Sequence, residues 1–318
     1  MYRIGIDLGG TFIKAGITDE NYDILFKGEY PTGLPCPAET VADNCAILVN
    51  KLLDEAGITL SDVEWLGMGS PGTVDCDNGI VEYANNLGFR DVHFAELMYQ
   101  RLGRPLYMGN DANVAAYGEY IKCGEKYKSF VFITLGTGVG GGIIIDGNIY
   151  TGFNYAGAEL GHIVIEKDGV PCTCGRKGCW ESYSSTTALV RMSRDEMSAD
   201  RSSALWELSG GDADALNGKI VFAAVEKGDA AANTALQKFI GYLACGIGSV
   251  INIFQPEVLC IGGGISAQEE LLIKPLIEAV NGETYGMNSG KRTQIRSAKL
   301  LNDAGIIGAA ALGEIYGK

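Results

Sequence analysis

The chain has 318 residues, 47% of them apolar and 20% charged, with 45 glycines and a formal net charge of −14. That balance supports a large buried core and excludes a disordered polymer, while the acidic surplus repels phosphate backbones and anionic lipid, so neither nucleic acid nor membrane is expected as a partner. Residues 1–3 lead straight into an apolar run with no secretory leader pattern, which points to the cytoplasm, and the 9 cysteines are expected as thiols or metal ligands rather than disulfides.

Taken in chain order, the pattern predicts strands at 3–8, 13–18 and 24–30, an opening antiparallel meander. A helix follows at 38–56, where Val41, Cys45, Leu48 and Leu52 recur every three or four residues. Strands are expected at 65–69 and 105–108 and a helix at 112–121, with Asn110-Asp111 at the strand-to-helix junction. The second half repeats the grammar: a strand at 130–135, a glycine turn, a strand at 142–145, helices from about 182, a long helix at 230–254 and a short strand at 258–261. Two charge-free stretches, 129–145 and 239–256, approach membrane-span length but carry backbone-exposing glycines or polar residues, and read as buried elements. The small-residue run 302–311 is expected as a helix that folds back on the first domain. Strand pairs followed by alternating helices and strands imply an α/β protein with a mixed sheet in each half, and a ligand at the strand ends between the halves.

Three glycine clusters carry the chemistry. Residues 4–11 read IGIDLGGT, residues 133–143 read ITLGTGVGGGI, and a third cluster ends the strand at 258–261. Glycine lets backbone N–H groups approach a phosphate. A plain structural hairpin has the same look, but the first two sit in corresponding positions of the halves. None matches the P-loop or the dinucleotide fingerprint, so a different nucleotide site is expected. His162, Cys172, Cys174 and Cys179 have the spacing H-x9-C-x-C-x4-C, interleaved with Gly175 and Gly178, a ligand set that suits a closed structural Zn2+ site. The alternative is an incidental cluster of thiols. Asp111 is placed either as a general base or as a helix cap, and Asp7 either at a phosphate site or as a turn former. Lys14 alternates to either face and is left outside the site; His93 reads as structural.

IDLGGT and LGTGVGGG resemble the paired phosphate loops of the superfamily that holds sugar kinases, actin and heat-shock chaperone ATPases. Residues 157–181, GAELGHIVIEKDGVPCTCGRKGCWE, are similar to the signature of the ROK family of repressors and sugar kinases. The resemblance implies a two-domain actin-like, ribonuclease H-like ATPase fold with the active site in the interdomain cleft. Its smaller domain would be 1–118 completed by 303–318, its larger one 119–302 with the zinc loop 162–179. It implies ATP with Mg2+, and a hexose as acceptor. Asp111 would be the catalytic base. Asp7, Gly9, Gly10, Thr11, Gly136, Thr137, Gly138, Gly263 and Gly264 would serve the phosphates, and Gly72, Asn85, Asn110, Asp111, Glu159, His162 and Glu181 the sugar. His162 would then use one ring nitrogen on zinc and the other on a hydroxyl.

The segments IDLGGTFIKAG, NNLGF and NDANVAAYGE favour glucose, phosphorylated at its 6-hydroxyl; N-acetylmannosamine, N-acetylglucosamine, fructose and allose stay as alternatives. A sugar-sensing repressor of the same family is disfavoured, since IDLGGT begins at residue 4 where such a protein carries a DNA-binding domain. The resemblance also implies a homodimer or a tetramer.

Overall fold

The computed structural model describes residues 1–285 and 290–317. Apolar residues that alternate along the opening run, Ile4, Ile6 and Leu8 and then Ile13, Ala15 and Ile17, start a meander of β1 (Tyr2–Leu8), β2 (Phe12–Thr18) and β3 (Ile24–Pro31), followed by α1 (Ala38–Ala56). The predicted stripe Val41, Cys45, Leu48 and Leu52 is the buried face of α1, and Gly57 ends the helix in the left-handed conformation at φ 67°. Then come β4 (Val63–Ser70), β5 (Thr73–Asp75), β6 (Ile80–Ala84), β7 (Phe89–Val92), α2 (Phe94–Leu102), β8 (Leu106–Asn110) and α3 (Asp111–Ile121). The first sheet has the order β3-β2-β1-β4-β8, and β5-β6-β7 form a small sheet of their own. β1 is antiparallel to β2 but parallel to β4, and β4 is parallel to β8. The carboxyl ends of these parallel strands are therefore in step: Asp7 pairs with Gly69, and Ser70 with Asn110.

The chain continues through β9 (Ser129–Leu135), β10 (Val139–Ile145), β11 (Asn148–Ile149), α4 (Glu181–Ser184), α5 (Thr186–Ala199), α6 (Ala204–Leu208), α7 (Gly218–Glu226), α8 (Ala230–Phe254), β12 (Val258–Gly262), α9 (Lys274–Glu283) and β13 (Gln294–Ser297). The second sheet runs β11-β10-β9-β12-β13, with β12 parallel to both β9 and β13. Both sheets are thus mixed, as an α/β architecture of this connectivity requires. α8 spans the predicted residues and is long and apolar enough to cross a bilayer, yet most of that stretch is buried; it packs on α5 and α9.

The closing stretch gives α10 (Ala304–Ala310) and α11 (Gly313–Tyr316). α10 lies against β1, β2, β4 and α3, where glycines let the backbones touch. A Cβ on Gly5 would fall 1.8 Å from the Ile306 carbonyl oxygen, and one on Gly308 1.8 Å from that of Val114. The chain divides into two compact units, one of Met1–Lys128, Gly142–Ala158 and the segment from Leu300, the other of Ser129–Gly141 and Glu159–Lys299. The change of unit falls after Lys128, not after 118 as expected, because the end of α3 and the loop behind it stay with the first sheet: the Tyr120 hydroxyl bonds the Tyr127 carbonyl and the Leu300 N–H bonds Glu119. Residues 142–158 also return to the first unit, whereas the expectation gave the whole of 119–302 to the second.

Candidate active site

In the first unit the predicted residues gather at the carboxyl ends of β1, β4 and β8, the end where open α/β sheets bind ligands. Gly9, Gly10 and Thr11 form the tip between β1 and β2. Gly9 closes it by an N–H bond to the Phe12 carbonyl at 3.1 Å, and the Thr32 hydroxyl holds the Gly9 carbonyl at 2.7 Å. A Cβ at Gly10 would stand 3.9 Å from Asn86 Nδ2, which brings the Asn85-Asn86 loop to the same tip. Asn85 itself is exposed, with Oδ1 accepting from the Tyr83 hydroxyl at 3.2 Å.

Asn110, not Asp111, is the principal cap of α3. Its Oδ1 accepts from the N–H groups of Ala112 and Asn113 while its Nδ2 donates to the Gly72 carbonyl at 3.0 Å. Gly72 has φ 88°, and a Cβ there would lie 2.0 Å from the Tyr83 carbonyl oxygen, so glycine is required for the turn. Oδ1 of Asp111 accepts the Ala112 N–H at 2.8 Å. Burial pushes its carboxyl above the ordinary carboxylate range, against the hydrogen bonds from Ala112 and Asn110 that pull it down. Asp7 is also raised by burial, held down by the Lys14 cation and raised again by the nearby charge of Asp111. Lys14 stands directly across from Asp7 in the β1–β2 register, so it belongs beside the site after all. Strand alternation alone left its face open; the register Asp7 to Lys14 across a three-residue tip was the signal that decides it.

In the second unit two glycine turns follow adjacent parallel strands, with Thr134 of β9 paired to Gly262 of β12. Gly263 has φ 93°, and a Cβ there would meet the Leu135 carbonyl oxygen at 2.1 Å. Gly136, Thr137 and Gly264 line a cavity of about 900 Å³, toward the upper end of the range of small-molecule sites. Thr187, Arg191 and Arg194 of α5 and Asn217 before α7 line it too. These were missed because only their helical spacing marks them. Gly138 does not line the cavity; it lies against Glu181, whose Oε2 would be 2.2 Å from a Cβ there.

Glu159 and His162 bracket one 3-10 turn, the His162 N–H bonding the Glu159 carbonyl at 3.1 Å. Nδ1 of His162 lies 3.7 Å from Cys172 Sγ, and the Cys174 and Cys179 sulfurs are 3.6 Å apart. Ligand atoms of all four residues lie within 4.8 Å of one another. Tetrahedral zinc with bonds of about 2.0 to 2.3 Å spaces its ligand atoms by roughly 3.3 to 3.8 Å. The donor set fits that ion in chemistry, and the His162–Cys172 and Cys174–Cys179 pairs fall in that range.

Residues 3–314 match the model of the ROK family. The glucokinase of Halalkalibacterium halodurans is 36% identical over 314 residues, covering 98% of this chain and 94% of the relative. The glucokinase of Thermotoga maritima is 36% identical over 315 residues, 97% of this chain and 96% of the relative. Among solved structures, the ROK family glucokinase of Streptomyces griseus in complex with glucose and AMPPNP superposes with a TM-score of 0.82 at 35% identity, covering 98% of this chain and 99% of that one. The two mixed sheets are those of the actin-like ATPase fold of such kinases, and with its glycine turns, its Asp111 and its Cys and His cluster this chain belongs to the ROK family.

Proposed function

We propose that the protein transfers the γ-phosphoryl group of ATP to the 6-hydroxyl of glucose. The observation that carries the reading is the pair of desolvated carboxylates, Asp7 and Asp111, at the carboxyl ends of β1 and β8. Phosphoryl transfer asks a protein for alignment, for charge to face the phosphates and for a base to take the hydroxyl proton. A carboxyl raised above its ordinary range is a better proton acceptor than a solvated one. With Oδ1 engaged by Ala112, Oδ2 of Asp111 is the oxygen for that proton. The sugar O6 then attacks the γ-phosphorus, the bond to the bridging oxygen breaks, and ADP leaves. Mg2+ bound with ATP would neutralise charge on the phosphates; Asp7 would face it, and the Lys14 cation favours the ionised form of Asp7 against the burial that raises its pKa. The purine and ribose suit the cavity lined by Thr187, Val190 and Asn217, and the phosphates are assigned to residues 136–137 and 263–264.

Glucose as the acceptor is supported by the relatives named above. Gly72, Asn85, Asn110, Glu159, His162 and Glu181 are assigned to its hydroxyls. His162, Cys172, Cys174 and Cys179 would hold one Zn2+ with no open position, a structural ion that fixes the loop rather than a Lewis acid. Nδ1 of His162 faces Cys172, which leaves Nε2 for the sugar. We place the enzyme in the cytoplasm, working as a homodimer or tetramer on glucose entering glycolysis.

A coupled ADP-release assay over hexoses and amino sugars tests this. Glucose should exceed N-acetylmannosamine and N-acetylglucosamine in kcat/KM by at least ~10-fold, since burying an acetamido group with no pocket for it costs more than about 1.4 kcal/mol. Equal or reversed values overturn glucose and leave the kinase; no ADP with any sugar overturns the kinase.

A further inference from the structure

Glu181 follows Cys179 by two residues, beyond the buried Trp180, and its two carboxylate oxygens face different parts of the second unit. Oε2 accepts the Val139 N–H at 3.0 Å. Oε1 accepts from the Thr173 hydroxyl at 3.4 Å and lies 3.7 Å from Cys172 Sγ, on the metal loop. Val139 is the first residue after the turn 136–138. Its carbonyl is hemmed from the Glu159–His162 side, where a Cβ on Gly161 would fall 2.2 Å from the Val139 oxygen. The turn and the carboxylate also touch directly, with no room for a methyl group on Gly138.

The turn has little of its own to hold it. Its internal bond runs from the Gly136 N–H to the Gly138 carbonyl at 3.0 Å, and the rest comes from outside. The Thr186 N–H bonds the Gly136 carbonyl at 2.9 Å and the Thr187 hydroxyl bonds the Thr137 carbonyl at 2.8 Å. Glycine-rich turns lose much conformational freedom when ordered, and a charged acceptor on a backbone N–H is about twice as strong as a neutral one. The Glu181 carboxylate is the charged group among these braces.

We infer that Glu181 is a positioning residue for the phosphate turn, setting the geometry of residues 136–139 from the metal-loop side in addition to any contact with sugar. The inference rests on the kinase reading and deepens it. One carboxylate then serves two ligands: Oε1 is the oxygen a sugar hydroxyl would reach, and Oε2 shapes the turn that grips ATP. Sugar and nucleotide should tighten each other's binding by the same factor, as linkage requires.

The test is calorimetric titration of the intact protein with AMPPNP and Mg2+ in the absence of sugar, with zinc content measured on each variant. Glu181→Ala should raise the AMPPNP Kd at least ~10-fold with zinc retained, Glu181→Gln less, since its amide oxygen still accepts from Val139. Gly138→Ala, whose methyl displaces the carboxylate, should match Glu181→Ala, and the double variant should be no weaker than the weaker single, because both break one contact. Glu181→Ala that binds AMPPNP like the wild type while its sugar KM rises would make Glu181 a sugar ligand only and overturn the inference. Additive losses in the double variant, or loss of zinc together with nucleotide binding in Glu181→Ala, overturn it too. If Glu181→Ala does not fold, Gly138→Ala decides, and normal AMPPNP binding by that variant refutes the coupling. A wild type that binds no AMPPNP takes the kinase reading down with it.

Discussion

The two units hold their polar residues in opposite ways. At the carboxyl ends of β1 and β8, Asp7 and Asp111 are half-buried, and desolvation raises both carboxyls above the ordinary range. Around the turn 136–138 and the loop 172–181, Glu181, Thr186 and Thr187 are matched to backbone groups. The first arrangement is poor for stability and good for moving a proton; the second is good for holding a shape. Residues that react and residues that position should therefore respond to mutation with opposite signs.

Asp111→Asn is the sharpest test. Turnover should fall at least ~10²-fold with sugar binding largely kept. Because the folded pKa is raised, the native state binds a proton more readily than the unfolded chain, so ionised Asp111 costs stability above that raised value. The cost shrinks as pH falls and is gone below the ordinary carboxylate range. The variant should melt higher than the wild type at pH 8, and the gap should narrow as the pH falls toward the ordinary carboxylate range. Scanning calorimetry that found a loss at pH 8 would break the contrast between the units.

Cys174→Ala or Cys179→Ala should do the reverse, losing stability and function together. Elemental analysis should find about one zinc per wild-type chain and none in the variants, whose sugar KM should rise at least ~10-fold if they remain soluble. Fresh, active protein without zinc would remove the metal from the account.

Lys14→Met should be milder. Without the cation, Asp7 ionises less readily, so the acid limb of the pH–rate profile should move to higher pH and kcat/KM for ATP should drop by roughly 10-fold. An unchanged profile would return Lys14 to the solvent face. The smallest effect on turnover belongs to Gly308→Ala, where a methyl meets the Val114 carbonyl oxygen. Denaturant unfolding should show a loss of about 1 to 3 kcal/mol, with kcat per folded molecule unchanged.

Long periodic elements were legible: α1 and α8 have the residues that their apolar spacing predicted. The β5-β6-β7 sheet was not, because its strands are three to five residues long and the turn Asp75-Cys76-Asp77-Asn78-Gly79 hides the alternation around it. β13, four residues and not fully buried, carried no apolar run to find. At the site, residues marked by chemistry could be named in advance, including the His162 and Cys cluster that the structure brings together. The α5 residues lining the cavity could not, since Thr187, Arg191 and Arg194 look like any helix surface until the helix is placed. Asp111 read equally as base or as cap; the Ala112 and Asn113 N–H groups that donate to Asn110 Oδ1 give the capping to Asn110 instead.

The glycine-lined slot that receives α10 also bears on how the chain is made. Ile306 and Ala309 close against Gly5 and Gly67, yet they leave the ribosome after every residue of the second unit. During synthesis the β1–β4 face stands uncovered while residues 129–299 are still emerging. The second unit has all its own residues before the first is complete. Folding on the ribosome therefore finishes at the beginning of the sequence: the strand face that carries Gly5, Gly16, Trp65 and Gly67 waits for Ile306, Ala309 and Ala310.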